Sequence, residues 1–392
     1  MDIFQKTEEF TIAREAQKAG FYPYFIPMEG NEGAEAVFQG KRLIMCGSNN
    51  YLGLTVHPKV LEASQKAIRE YGTSCTGSRF LNGTLELHLE LERQLADWVG
   101  KEAALVFSTG MQTNLGTISA IVGREDYVIM DRDDHASLVD GARLSFGEMK
   151  RFRHNDARDL ERVLANLPED QGKLVVVDGL FSMAGDIAPL PELVPVCKKY
   201  GARLMVDDAH AMGVLGGGRG TAAHFGMTDD VDLIMSTFSK SFASLGGFIA
   251  GDEQIIHYIQ HHARSLIFSA SIPAANCAAV LAALEIMREE PERIARVNQN
   301  GKKMRAGLTE LGYDIGNSVT PVVPVIIGDD MLTFTMWRFL LENGVFVNPV
   351  ISPAVPQGHQ LLRTSYMATH TDEQLDHVLG IFEQVGKQLE LI

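Results

Sequence analysis

Cysteine is scarce and scattered in this chain: four in 392 residues (Cys46, Cys75, Cys197, Cys277), with no C-x-x-C pair. That spacing argues against a disulfide framework or a clustered zinc site and points to a reducing, cytoplasmic location. No apolar run comes near the roughly 18 residues that a membrane-crossing helix needs. The opening "MDIFQKTEEF" lacks the basic-then-apolar pattern of an export signal. Basic residues are also in deficit, 35 against 50 acidic ones, for a formal net charge of −15. A chain so acidic is expected to take neither nucleic acid nor an anionic membrane as its main partner, although peripheral membrane contact is left open. Internal repeats and low-complexity linkers are absent.

What is present is the composition of an ordinary globular protein, 45% hydrophobic and 22% charged, long enough for two or three domains. "HPKVLEASQKAIREYG" and "LELHLELERQLADWVG" have helical periodicity, and each closes on a glycine suited to a C-cap. Short apolar runs follow: "AALVFSTG", "DYVIMD", "KLVVVDG", "ARLMVDDAH", "DLIMSTFSK" and "GGFIAG". Helical stretches separate several of them, as expected for a mostly parallel sheet flanked by helices. After about residue 290 come a long charged helix, the strand-like "VTPVVPVIIG", "GVFVNPV" and "LLRTSYMA", and a final helix. The expected fold class is therefore α/β: a large domain over residues 46–285 and a smaller α+β domain over 286–392. Residues 1–45 are expected to pack on the smaller domain or on a partner subunit.

Ligands of open α/β sheets bind outside the carboxyl ends of the strands. Five runs deliver hydroxyls, a histidine, an Asp-x-x-His and a lysine to that rim. The lysine is Lys240 in "STFSKSFASLGGF". Desolvating an ammonium is costly, so a lysine at an apolar, hydroxyl-lined strand end is suited to act as a free amine and form a Schiff base. Pyridoxal 5'-phosphate needs such a lysine, an acid at its ring nitrogen, a flat group over the ring and a phosphate cradle. Asp207 can serve the nitrogen, His210 the phenolic oxygen and His135 the ring face. "STGMQTNLG" turns from a strand into a helix whose first N–H groups suit a phosphate, with Thr237 and Ser239 beside it.

With "GSNNYLGL", "VDDAHAMG", "STFSKS" and "LLRTSYMATH", the chain closely resembles the α-oxoamine synthases, a branch of the fold-type I pyridoxal-phosphate enzymes, over nearly its whole length. "GSRFLNGTLELHLELE" (residues 77–92) is most similar to the bacterial members that join L-serine to palmitoyl-CoA. The resemblance implies Lys240 as the Schiff-base lysine, Asp207 at the pyridine nitrogen, His210 at the phenolic oxygen and His135 stacked on the ring. It implies phosphate or ring contacts for Gly110, Met111, Thr237 and Ser239, and a place near the cofactor for Ser182. Arg363 matches the arginine that pairs with the substrate carboxylate, and Asn49 is implied to assist it. Two positions depart from many relatives: Met111 replaces an aromatic, and Ala270 a threonine that reaches the partner subunit's phosphate. The resemblance further implies a homodimer with active sites at the interface, and an amino acid and an acyl-CoA as substrates.

The competing branches use glycine or alanine with shorter acyl groups, as in glycine C-acetyltransferases and 8-amino-7-oxononanoate synthases. A fold-type I aminotransferase and a catalytically dead partner subunit are further alternatives; retention of Lys240, Asp207, His210 and His135 argues against the latter. "GGGRG" (residues 216–220) does not lie between a strand and a helix, so it reads as a mobile loop rather than a phosphate loop. In "DRDDH" (131–135) adjacent carboxylates point apart along an extended chain, and no metal is expected. "HHAR" (261–264) reads as a solvated helix face.

Overall fold

The computed structural model describes residues 2–392, which form two compact units. One comprises Asn49–Gln299; the other combines the chain up to Ser48 with Asn300–Ile392. The boundary thus falls inside the helix Glu292–Glu310.

The larger unit is built on seven strands: β1 (Ala103–Phe107), β2 (Tyr127–Asp131), β3 (Glu148–Phe152), β4 (Lys173–Asp178), β5 (Arg203–Asp207), β6 (Leu233–Thr237) and β7 (Gly247–Gly251). Their order across the sheet is β1-β7-β6-β5-β4-β2-β3. All neighbours run parallel except β7, which is antiparallel to both β1 and β6. Every residue of β4, β6 and β7 is buried. That is why these strands read as unbroken apolar runs rather than alternating ones: helices cover both faces, so neither side chain parity meets water. One such layer joins Leu105, Met130, Val176, Met205 and Met235 from the strands with Ile118, Leu138 and Ile259 from the helices.

Three helices matter for the site: α1 (Glu86–Val99), α2 (Gly110–Ile121) and α3 (Ala136–Leu144). The glycine stops read in the sequence are present. Gly100 closes α1 in the left-handed region at φ 73°, and Gly72 ends Pro58–Tyr71 at φ 77°. Asp178 of β4 pairs with Asp207 of β5, and Asp207 with Met235 of β6, so register alone lines up the carboxyl ends of three strands. "GGGRG" is tied down: Gly218 is buried, and its carbonyl accepts Trp98 Nε1 at 3.2 Å and Gly213 N at 2.9 Å.

The smaller unit holds a three-stranded antiparallel sheet in which Leu361–Ser365 lies between Val322–Ile326 and Asn348–Val350. Its core gathers Met304, Leu308, Val323, Val325, Met336, Leu340, Leu362, Leu375, Val378 and Phe382. Met336 and Leu340 come from a helix, Asp330–Glu342, that the run of strand-like segments did not announce. A second sheet of this unit joins Glu35–Phe38 and Lys41–Met45 to Val345–Phe346 from the far end of the chain.

Candidate active site

A cavity of about 250 Å³ opens over the carboxyl ends of β4, β5 and β6. Gly110, Met111, His135, Asp207, His210, Thr237, Ser239 and Lys240 line it, together with Asn114, Ser137, Asp178 and Leu180.

Lys240 follows β6 on a turn that the sequence pins at both ends. Phe238 and Phe242 are fully buried and stand edge to face at 5.5 Å, with Phe248 of β7 stacked on Phe238 at 5.9 Å. Phe238 N donates to Gly246 O and Ser244 N to Phe238 O, both at 2.9 Å. Lys240 is therefore placed by its aromatic neighbours, and the hydroxyls around it face the cavity. Thr237 Oγ1 donates to Gly246 O at 2.9 Å and lies 3.0 Å from Ser239 Oγ.

α2 begins where β1 ends. Thr109 caps it, its Oγ1 accepting Gln112 N at 3.1 Å. The N–H groups of Gly110 and Met111 precede the first intrahelical bond and are directed outward at the positive end of the helix. Gly110 is needed there: a Cβ would stand 2.8 Å from Thr237 Cβ and Oγ1, inside van der Waals contact. Helix start and β6 end thus converge on one concavity with donors on both walls, which suits a phosphate.

Asp207 is buried, its Oδ1 accepting Ala209 N at 2.9 Å and its Oδ2 accepting Asn114 Nδ2 at 2.7 Å. Beside it on β4, burial first and the Asp207 charge second hold the Asp178 carboxyl well above the usual carboxylate range. His210 Nδ1 lies 2.7 Å from Tyr51 Oη, which sets the orientation of the ring; Asn49 Oδ1 lies 3.5 Å from the same hydroxyl. His135 is the N-cap of α3, with Nδ1 accepting Ser137 N at 3.2 Å. Outside the rim, burial pulls the His154 imidazolium down, but hydrogen bonds with Asp131 (3.0 Å) and Asp186 (2.8 Å) overcome it and push the pKa to about 10. That ion cluster fastens the loop after β4 to the end of β2.

Ser182 is half-buried on the loop after β4, where Asp178 and Leu180 supply the cavity lining. Ala270 is exposed, and its carbonyl accepts Ser108 Oγ. Arg363 belongs to the smaller unit, buried on Leu361–Ser365 opposite Pro324 and Asn348. Tyr51, Asn114, Ser137 and Asp178 were not singled out from the sequence. Asp178 had a signal, since it ends a buried strand as Asp207 does.

The residues present fit pyridoxal phosphate: an amine, a buried carboxylate, a flat imidazole and a donor-lined cradle that a single Cβ would fill. The fold and this site define a class, and the chain belongs to the aminotransferase class I and II family, whose model matches residues 41–382. Within that class it is 50% identical over 390 residues to the serine palmitoyltransferase of Sphingobacterium spiritivorum, covering 99% of this chain and 98% of that one. Against an 8-amino-7-oxononanoate synthase of Alkaliphilus oremlandii the identity is 42% over 381 residues, 97% and 96% of the two chains. A solved serine palmitoyltransferase variant from S. paucimobilis, with bound PLP and myriocin, superposes with a TM-score of 0.97 at 38% identity, covering 100% of both chains.

Proposed function

We propose that this protein condenses L-serine with palmitoyl-CoA, giving 3-oxosphinganine with release of CoA and carbon dioxide, and that pyridoxal phosphate bound at Lys240 is its cofactor. The observation that carries the chemistry is the meeting of Lys240, Asp207 and His135 in one cavity. The choice of substrates rests on the full-length similarity to serine palmitoyltransferases.

Pyridoxal phosphate supplies an aldehyde that condenses with an amine and a protonated ring that draws electrons from the Cα of the bound amino acid. Gly110 N, Met111 N and the hydroxyls of Thr237 and Ser239 would hold the phosphate. Asp207 would accept the ring N–H, and His210, steadied by Tyr51, would donate to the phenolic oxygen. The guanidinium of Arg363 pairs with the serine carboxylate, a match for its two-pronged donor, with Asn49 in support. Lys240, which lines the cavity, would hold the cofactor aldehyde, and its Nζ would serve as the base for the Cα proton and as the acid for the same carbon. His135 would lie over the ring face and could donate to the serine carboxylate and to the thioester oxygen where charge develops. The active form is a homodimer with its sites at the interface, located in the cytoplasm.

The test is to incubate the holoprotein with each of serine, glycine and alanine against palmitoyl-, pimeloyl- and acetyl-CoA, reading free CoA and product mass. Serine with palmitoyl-CoA should release CoA fastest and give 3-oxosphinganine. Release only with glycine or alanine and a short acyl group would move the protein to another branch, and amino-group transfer without CoA release would refute acyl transfer altogether.

A further inference from the structure

Asn114, on the first turns of α2, carries no role above, yet its buried amide touches both halves of the site. Nδ2 donates to Asp207 Oδ2 at 2.7 Å and to Ser137 Oγ at 2.8 Å. An amide nitrogen has two hydrogens, and both are used. Ser137 Oγ lies 2.8 Å from His135 Nδ1, within reach to donate its own hydrogen there. The backbone N–H of Ser137 donates to the same Nδ1 at 3.2 Å. Nδ1 therefore faces two donors and bears no hydrogen, and this pattern assigns the ring hydrogen to Nε2.

The amide cannot be turned over. Its Oδ1 would then stand where Nδ2 is, 2.7 Å from Asp207 Oδ2, two acceptors with no hydrogen between them. In the orientation found, Asn114 Oδ1 is buried and accepts no hydrogen bond among the described residues. That is a cost to stability which an apolar side chain of the same size would not incur.

We propose that Asn114 is a positioning residue that locks the Asp207 carboxylate and, through Ser137, the His135 ring into one hydrogen-bonded unit. It aims Asp207 at the ring nitrogen and keeps the His135 hydrogen on Nε2, the edge that would donate to substrate. The two groups that would lie at the ring nitrogen and over the ring face are thus set by the same amide, so their geometry cannot drift independently. This inference rests on the roles given to Asp207 and His135 in the proposed function.

The experiment uses full-length holoprotein labelled with 15N-histidine, with the His135 signals identified by His135→Gln. Nitrogen chemical shifts read the tautomer, the visible spectrum reads the state of bound pyridoxal phosphate, and L-serine titration reads binding. Wild type should show His135 with its hydrogen on Nε2. Ser137→Ala should raise the Nδ1–H fraction and leave the cofactor band unchanged. Asn114→Ala should change both signals and lower kcat/KM about 10- to 100-fold, the usual range for outer partners of a site. Asn114→Asp preserves size but replaces the donor with an acceptor, so it should lose more activity than Asn114→Ala. An Asn114→Ala protein with wild-type tautomer and cofactor band would overturn the proposal, as would an Asn114→Asp protein more active than the alanine variant. Asp207→Asn carried alongside separates the two readings: an unaltered cofactor band there would refute the role of Asp207, while the His135 tautomer in Asn114→Ala still decides the link.

Discussion

Acid should weaken this protein through one histidine that the chemistry does not use. His88 sits in the first turn of α1 with 0% of its surface exposed. Its Nδ1 accepts Leu85 N–H at 2.9 Å, and its Nε2 lies 2.8 Å from Ile272 O. Only the neutral ring can accept at one nitrogen and donate at the other. Burial pulls its pKa from 6.5 to about 4, against the Ile272 bond and with help from the Arg79 charge. Above pH 6.5 neither the folded nor the unfolded chain protonates it, and its contribution is whole. As the pH falls from 6.5 to about 4, the unfolded chain takes a proton that the folded chain refuses. The difference of about 2.5 pK units corresponds to about 3 kcal/mol, a large share of a typical stability of about 5–15 kcal/mol. Ile272 follows Ser271, whose N–H is bonded to Gly77 O at 2.9 Å, and Ala270, whose carbonyl holds Ser108. Loss of neutral His88 would therefore loosen the segment beside the start of α2, where the phosphate is proposed to sit. Urea unfolding of wild type and His88→Gln at several pH values between 7.5 and 4 checks this, with cofactor retention measured in the same samples. Wild type should be the more stable at pH 7.5, and its advantage should shrink by about 3 kcal/mol by pH 4. Parallel stability curves for the two proteins would refute the reasoning.

At the alkaline end the sign reverses. His154, raised to about 10 by Asp131 and Asp186 against its burial, contributes in full below pH 6.5 and loses its contribution as the pH rises through 10. Melting temperatures of wild type and His154→Gln should then differ at pH 7 and converge by about pH 10.5; an unchanged gap would contradict the cluster's role. Borohydride reduction of the holoprotein should fix the cofactor on the peptide containing Lys240, and label on any other lysine would remove that residue from the site. Gly110→Ala, whose Cβ would stand 2.8 Å from Thr237, should weaken cofactor binding by about 1–3 kcal/mol, the usual cost of overpacking; full cofactor content after dialysis would show that the cradle is elsewhere. Arg363→Ala should raise the Kd for L-serine by roughly 30- to 1000-fold, or about 2–4 kcal/mol, while cofactor content stays intact, and Arg363→Lys should recover only part. Serine binding as tight as wild type in the alanine variant would exclude Arg363 as the carboxylate clamp.

The parallel sheet and its chemical rim were legible because both depend on local signals. Strands buried on two faces must be continuously apolar, so "KLVVVDG" and "DLIMSTFSK" announced themselves, and the polar residues that end such runs could be listed without coordinates. The turn that fixes Lys240 was equally plain in its composition, although the work of Phe238 and Phe242 as anchors was not. Asn114 and Ser137 escaped notice because nothing in their neighbourhoods marks them. Asn114 is one polar residue in a helical stretch, and its partners lie 93 and 23 positions away in the chain. Tyr51 likewise reaches His210 across 159 positions. Ser182 was read from the "FSM" motif, while the cavity wall at that point is formed by Asp178 and Leu180. The helix Asp330–Glu342 was hidden for another reason: "MLTFTMWRFLL" is apolar nearly all round and mixes β-branched with aromatic residues, so its period is blurred.

The strand Lys41–Met45 finds its parallel partner in Val345–Phe346, pairing Ile44 with Val345 and Met45 with Phe346. About 300 residues of chain separate the two. During synthesis the larger unit, Asn49–Gln299, is complete before Val345 is made, so it can fold while the first strands still wait for their neighbour. Closing that pair is a long-range step, and such steps are slow relative to local ones. The early-made strands would meanwhile present open edges, the kind of surface on which chains associate wrongly. Soluble yield should therefore depend on how quickly the last hundred residues follow, and shortening the chain at its carboxyl end should harm the first fifty residues more than the middle.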